Sequence, residues 1–96
     1  RMTTPWAEIK RRRPLSKQGR REYQLARLGI DIADQVRALR ATRRISQGKL
    51  AEQIGASQLT VVRLESGEKV PSLRILANVA EALDADLTVH VTARGS

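Results

Sequence analysis

Between Ser46 and Lys69 the chain reads SQGKLAEQIGASQLTVVRLESGEK, and this stretch decides the fold. Leu50, Ala51, Ile54, Val61 and Leu64 recur at the three- and four-residue steps of buried helix faces. Ser46 is placed to cap a helix over residues 47–54, Gly55 to leave it, and Ser57 to cap the next over residues 58–65, which Ser66-Gly67 ends. The opposite side of QLTVVRLE is unusual: Leu59 and Val62 stand beside Arg63 on a face that does not point inward.

Two short helices joined by a turn of about three residues containing glycine have the outline of a helix-turn-helix. An ordinary helical hairpin shares that outline. Ala51 falls where the helices cross and a small side chain permits close approach. Gly55 can take a positive φ that costs other residues about 1 kcal/mol or more.

The rest of the chain is read outward from this unit. Ninety-six residues suit one domain with a modest core, and with Trp6 and Tyr23 as the only aromatics that core must be aliphatic. There is no cysteine, hence no disulfide or thiolate metal site. No apolar run approaches the roughly 18 residues of a membrane span, and no signal-peptide core is evident, so a cytoplasmic location without membrane association is expected. Residues 1–44 carry 13 Lys/Arg against 4 Asp/Glu, whereas residues 45–96 carry 5 against 6. The positive half suits a polyanion, because a basic face gains affinity by releasing counterions from phosphate, although a solvated basic surface has the same composition.

Along the chain, Thr4-Pro5 could start a short helix that Lys10 to Pro14 interrupts, and residues 1–15 read as an arm. Ser16 is a candidate N-cap for a long helix to about Arg43, carried by Leu25, Leu28, Ile32, Val36 and Leu39. Gly29 weakens its middle by about 1 kcal/mol relative to alanine, so a break there with Asp31 as a new cap is the alternative. Pro71-Ser72 opens a helix through Asp84 with Leu73, Leu76, Ala77, Ala80 and Leu83 on one face. Leu87 to Thr92, LTVHVT, alternates apolar and polar residues and reads as a strand.

The run ISQGKLAEQIGASQLTVVRLESGEKVPSLRILANVAEALDADL from Ile45 resembles the Cro/CI-type (Xre-family) helix-turn-helix of phage and bacterial repressors. Gln47, Leu50-Ala51, Gly55, Ser57, Val61, Leu64-Glu65, Gly67, Pro71-Ser72-Leu73 and Ala80 to Leu83 carry the resemblance, which covers about residues 31–86. It implies a mainly α fold, a four- to five-helix repressor-like domain; one departure from the family is the strand read over residues 87–92, where a fifth helix often stands. Three segments are expected: residues 1–30 as basic arm and helical extension, 31–86 as DNA-binding domain, and 87–96 as dimerisation strand and tail.

The resemblance also implies roles. With Val61 and Leu64 buried, Leu59 and Arg63 point outward one turn apart, flanked by Thr60 and Val62. Arg63 can pair with guanine O6 and N7, Gln58 with adenine, and Leu59 or Val62 with a thymine methyl, giving four base-reading candidates. Arg44, Ser46, Gln47, Lys49, Thr60 and Lys69 are candidates for phosphate contact. In the family a glutamine in the place of Gln47 braces the one in the place of Gln58. Glu65 would repel DNA, and the family's pattern pairs it with Arg40 as a structural ion pair.

A lone strand leaves unpaired amides, which a second copy can satisfy in an antiparallel ribbon. The expected homodimer interface is Leu87, Val89 and Val91 over Ile75 and Val79, consistent with reading two half-sites. His90 has no second histidine or cysteine to form a metal site. Tyr23, Leu25, Ala26 and Leu28 are too apolar for a free helix, and Trp6, Tyr23, Leu25 and Leu28 read as a protein-binding, toxin-contacting surface. Helical extension, repressor-like domain and terminal strand together resemble antitoxins of the HigA or HipB kind, which repress their own operon and neutralise a toxin, often an RNA-cleaving one. A stand-alone phage-like repressor is the alternative, and the basic arm, with Lys17, Arg20 and Arg21, could grip DNA instead. No catalytic set can be assembled, so no enzyme activity and no cofactor are expected.

Overall fold

The computed structural model describes residues 16–95. Trp6, the Thr4-Pro5 helix start and the Lys10 to Arg13 cluster lie outside them. Four helices occupy the described residues: α1 (Lys17–Arg43), α2 (Gln47–Ile54), α3 (Gln58–Leu64) and α4 (Leu73–Ala82). None of them is long and apolar enough to cross a membrane.

Each helix begins on a serine whose hydroxyl accepts from the amide three residues on. Ser16, Ser46, Ser57 and Ser72 cap Gly19, Lys49, Thr60 and Ile75 at 3.0, 3.0, 3.2 and 3.1 Å. Each cap satisfies one of the amide groups that a helix start leaves without an intrahelical partner. The exits differ. Gly55 leaves α2 at φ 69°, and the amides of Gly55 and Ala56 return to Glu52 and Ala51. Arg44 leaves α1 at φ 58°, a left-handed conformation rarely taken by a side chain of this size.

α1 runs through Gly29 without a break, across the boundary expected at residue 30. Gly29 is buried, because the backbone after α3 lies on it: a Cβ there would stand 2.8 Å from the Gly67 carbonyl oxygen. The glycine that raised the prospect of a break is thus the place where the loop meets the helix.

The core is aliphatic and centred on the helix-turn-helix. Leu50, Ala51, Val61 and Leu64 pack with Val36 of α1 and Val79 and Leu83 at the α4 end, flanked by Ile32, Leu39, Ile45, Ile54, Ile75 and Ala82. Two expected faces need correction. On α4 the inward residues are Leu76 and Val79, while Leu73 is 60% exposed and Ala77 faces solvent. On α1 the inward set starts at Ile32, leaving Leu25 and Leu28 exposed.

Arg43 joins the ends of the domain, donating from Nε to the Leu83 carbonyl at 2.9 Å and from Nη2 to the Asp84 carbonyl at 3.0 Å. These are carbonyls at the α4 C-terminus, where a cation is favoured by the helix dipole. Beyond it, residues 85–95 have no regular secondary structure, so the strand expected over Leu87 to Thr92 is absent from the single chain. The physical reason is that a strand is defined by its ladder, and no other strand exists among the described residues to pair with it. The proposed interface also loses Val79, which is 3% exposed and belongs to the core, and Ile75 packs against that core.

Candidate nucleic-acid interface

Val61 and Leu64 fix the rotation of α3, because both are buried in the core that α3 shares with Leu50 and Ala51 of α2. The remaining residues of this short helix are thereby turned outward. Leu59 is 54% and Val62 42% exposed, and Gln58 and Arg63 are exposed between and beside them. The Arg63 guanidinium has no hydrogen bond or ion pair among the described residues. This face therefore combines two apolar contacts, one amide and one free guanidinium, the functional groups that distinguish base edges in a major groove.

Gln58 is shaped by a residue that the sequence reading passed over. Its Oε1 lies 3.5 Å from where a Cβ on Gly48 would stand, so the side chain folds back over the first turn of α2. Gln47 does something else than expected. It does not brace Gln58: its Nε2 donates to Glu65 Oε1 at 3.0 Å, inside the domain. The buried carboxylate holds Gln47 because an ionised oxygen is a strong acceptor.

Glu65 is the one buried charged side chain among the described residues. Arg40 donates to it through both Nε and Nη2, at 2.7 and 2.9 Å, while Arg40 Nη1 holds the Ile45 carbonyl at 3.1 Å. Arg37, not singled out from sequence, donates to the Glu65 carbonyl and to Asp34. Burial alone would push the Glu65 carboxyl up, but the hydrogen bonds from Arg40 and Gln47 and the charges of Arg40 and Arg37 hold it below the usual carboxylate range. The hydrogen bond to Glu65 likewise raises Arg40 above its ordinary value. The acid at the end of α3 is consumed by this network and leaves the outer face without a negative charge.

The remaining candidates lie on α2, α3 and the segments before and after them. Ser46 is engaged in capping α2, yet the amides of Gln47 and Gly48 at that helix start remain outside the intrahelical ladder. Lys49 lies 3.3 Å from Glu52 in an exposed pair, which holds a lysine only weakly. Thr60 shares its hydroxyl with Ser57 at 3.1 Å. Arg44 and Lys69 are exposed, at the start of α2 and after α3 respectively. Among the described residues no group of three His, Cys, Asp or Glu side chains could hold a metal ion.

Comparison with known proteins agrees with the helix-turn-helix fold. The crystal structure of an HTH_3 family transcriptional regulator from Vibrio cholerae superposes with a TM-score of 0.60 at 30% identity, over 64% of this chain and 34% of that one. The chain thus spans about a third of that regulator's length. No curated protein sequence matches it. Residues 31–91, more than half of the chain, match the family described as a helix-turn-helix domain, running from within α1 through all of α2, α3 and α4. By that match the chain belongs to the helix-turn-helix domain family.

Proposed function

We propose that this chain is a sequence-specific, DNA-binding transcriptional repressor whose α3 reads base edges in a major groove. The observation that carries the reading is the outward face of α3, where Leu59 and Val62 are exposed beside Arg63, whose guanidinium has no partner among the described residues, while the helix's acid is sequestered by Arg40. Arg63 and Gln58 supply hydrogen-bond readout and Leu59 and Val62 apolar contact, while Arg44, Ser46, Lys49, Thr60, Lys69 and the α2 amides set register on the phosphates. Gln47, a further candidate for phosphate contact, is held in place by its bond to Glu65. A binding module of this kind requires no catalytic group and no cofactor. Footprinting of the purified protein on the DNA upstream of its own gene tests the proposal; uniform, unpatterned protection at every salt concentration would overturn it.

The finer reading is an antitoxin that represses its own operon and neutralises a toxin. It is favoured by the exposed apolar residues of α1, Leu25, Leu28 and Ile30, which a stand-alone reader of DNA has no use for. The homodimer belongs to the same reading. Leu87, Val89 and Val91 are exposed on a tail with alternating apolar positions, the pattern of a strand that completes its ladder with a second copy. Two copies would place two α3 helices on half-sites about 34 Å apart. Copurification of an untagged partner from the native operon tests the toxin; its absence would favour the stand-alone repressor.

A further inference from the structure

We propose that Gly29 is a positioning residue for the turn after α3, setting where Lys69 stands against a DNA backbone; the inference rests on the DNA-binding reading above. Gly29, Ala33, Arg37 and Arg40 follow one another along a single face of α1 at steps of four, four and three. Every one of them meets the segment from Glu65 to Lys69. The Gly67 carbonyl oxygen lies 2.8 Å from the place of a Gly29 Cβ, with the Lys69 carbonyl carbon and oxygen at 3.5 Å. Gly67, at φ 78°, is seated in return: a Cβ there would stand 3.3 Å from Ile30 Cα and 3.6 Å from Ala33 Cβ. Arg37 holds the Glu65 carbonyl and Arg40 its carboxylate.

The turn is fastened at its other side too. Ser66 Oγ donates to the Arg63 carbonyl at 2.6 Å and accepts from the Glu68 amide at 3.2 Å. One end is therefore fixed to the reading helix and the other rests, backbone on backbone, on α1. A glycine in a helix interior is less favourable than an alanine, having more backbone freedom to lose on folding. The close approach of the turn accounts for that cost, since the atom an added Cβ meets is a main-chain oxygen with no rotamer to yield. What the seat presents is Lys69, exposed and without an ion partner among the described residues. Any side chain on residue 29 must lift the turn, and Lys69 with it, away from the place set by α1.

The test is a double-mutant cycle on the full chain, with binding to a mixed-sequence DNA duplex followed by fluorescence anisotropy over a range of salt concentrations. Each variant is measured at a temperature where circular dichroism shows it folded. Lys69→Ala should lower the slope of log K against log salt by about 0.9, which is about an eightfold loss between 1 M and 0.1 M salt. Gly29→Val alone should produce the same fall, and adding Lys69→Ala to it should cost less than about twofold more. Gly29→Ala should lie between, and carries the cycle alone if the valine variant does not fold. A full Lys69→Ala loss in either Gly29 background, or an unchanged slope for Lys69→Ala itself, would overturn the inference while leaving DNA binding intact. No duplex binding by the unaltered chain would instead sink the DNA reading, and the inference with it.

Discussion

Glu65→Ala is the substitution whose consequence follows most directly from the structure. It removes the acceptor for two Arg40 hydrogen bonds and one from Gln47, all 3.0 Å or shorter, from a site only 5% exposed. Deleting one member of a buried ion pair costs about 3–5 kcal/mol, mainly through the charge left behind. Arg40 keeps 21% side-chain exposure and its bond to the Ile45 carbonyl, so part of its charge can be rehydrated. A loss of about 2–3 kcal/mol is therefore expected. At roughly 4–8 °C per kcal/mol for a domain of this size, thermal unfolding by circular dichroism should shift down by about 10–20 °C. The preference between cognate and altered operators should hardly move, because Glu65 does not reach the outer face of α3. A melting temperature within about 3 °C of the unaltered chain would refute the reasoning.

The same pair sets a pH dependence. The folded carboxyl is held below its unfolded value, near 4.3, so Glu65's contribution is fully present above that value and lost as pH falls through the folded one. Glu65→Gln, which cannot ionise, should melt lower than the unaltered chain at pH 6, and the gap should close as pH falls below about 4. A gap that stays constant or widens on acidification would contradict this sign.

Arg63→Ala should cost about 1–3 kcal/mol on the cognate operator and little on random DNA, whereas Lys49→Ala should weaken both alike; gel-shift titrations on the two DNAs separate them. Deleting residues 86–96 should leave a helical protein that sediments as a monomer and binds a full operator far more weakly. A truncated protein that still sediments as a dimer would move the interface elsewhere. Removing residues 1–22 should abolish copurification of a toxin while operator affinity is largely kept. A shallower salt dependence of DNA binding after that truncation would favour the arm as a DNA clamp.

What could be read from the chain was what is encoded locally. The four serine caps, Gly55 and the burial of Val61 and Leu64 depend on residues within one or two turns, and these fix the helix-turn-helix and the outward face of α3. What escaped depends on distant partners. α4 is apolar over much of its circumference, with Leu73, Ile75, Leu76, Ala77, Val79, Ala80 and Ala82, so periodicity alone could not select Val79 over Leu73. Gln47 had two glutamine-compatible partners in reach of the sequence argument, and only the buried charge of Glu65 decides between them. The LTVHVT pattern is that of a strand, but a ladder needs a second strand that this chain does not supply among its described residues.

Gly29 was legible as an anomaly and misleading as a hinge. Glycine inside a helix invites a kink when its backbone is open to solvent or to an inserted group. Here the backbone of Gly67 to Lys69 closes over it, and Arg37, Arg40 and Arg43, two and more turns on, bind carbonyls or carboxylates of α3 and of the α4 end. The helix is thus clamped along its length from Gly29 to Arg43, and only the turns before Gly29 project beyond the clamp. The contacts of α1 with the rest of the domain thus begin at Gly29, and the exposed Leu25 and Leu28 sit on the same continuous helix that seats the end of α3. A partner held by those leucines and a DNA backbone held by Lys69 would then be joined by an unbroken helix, with no flexible linker between them.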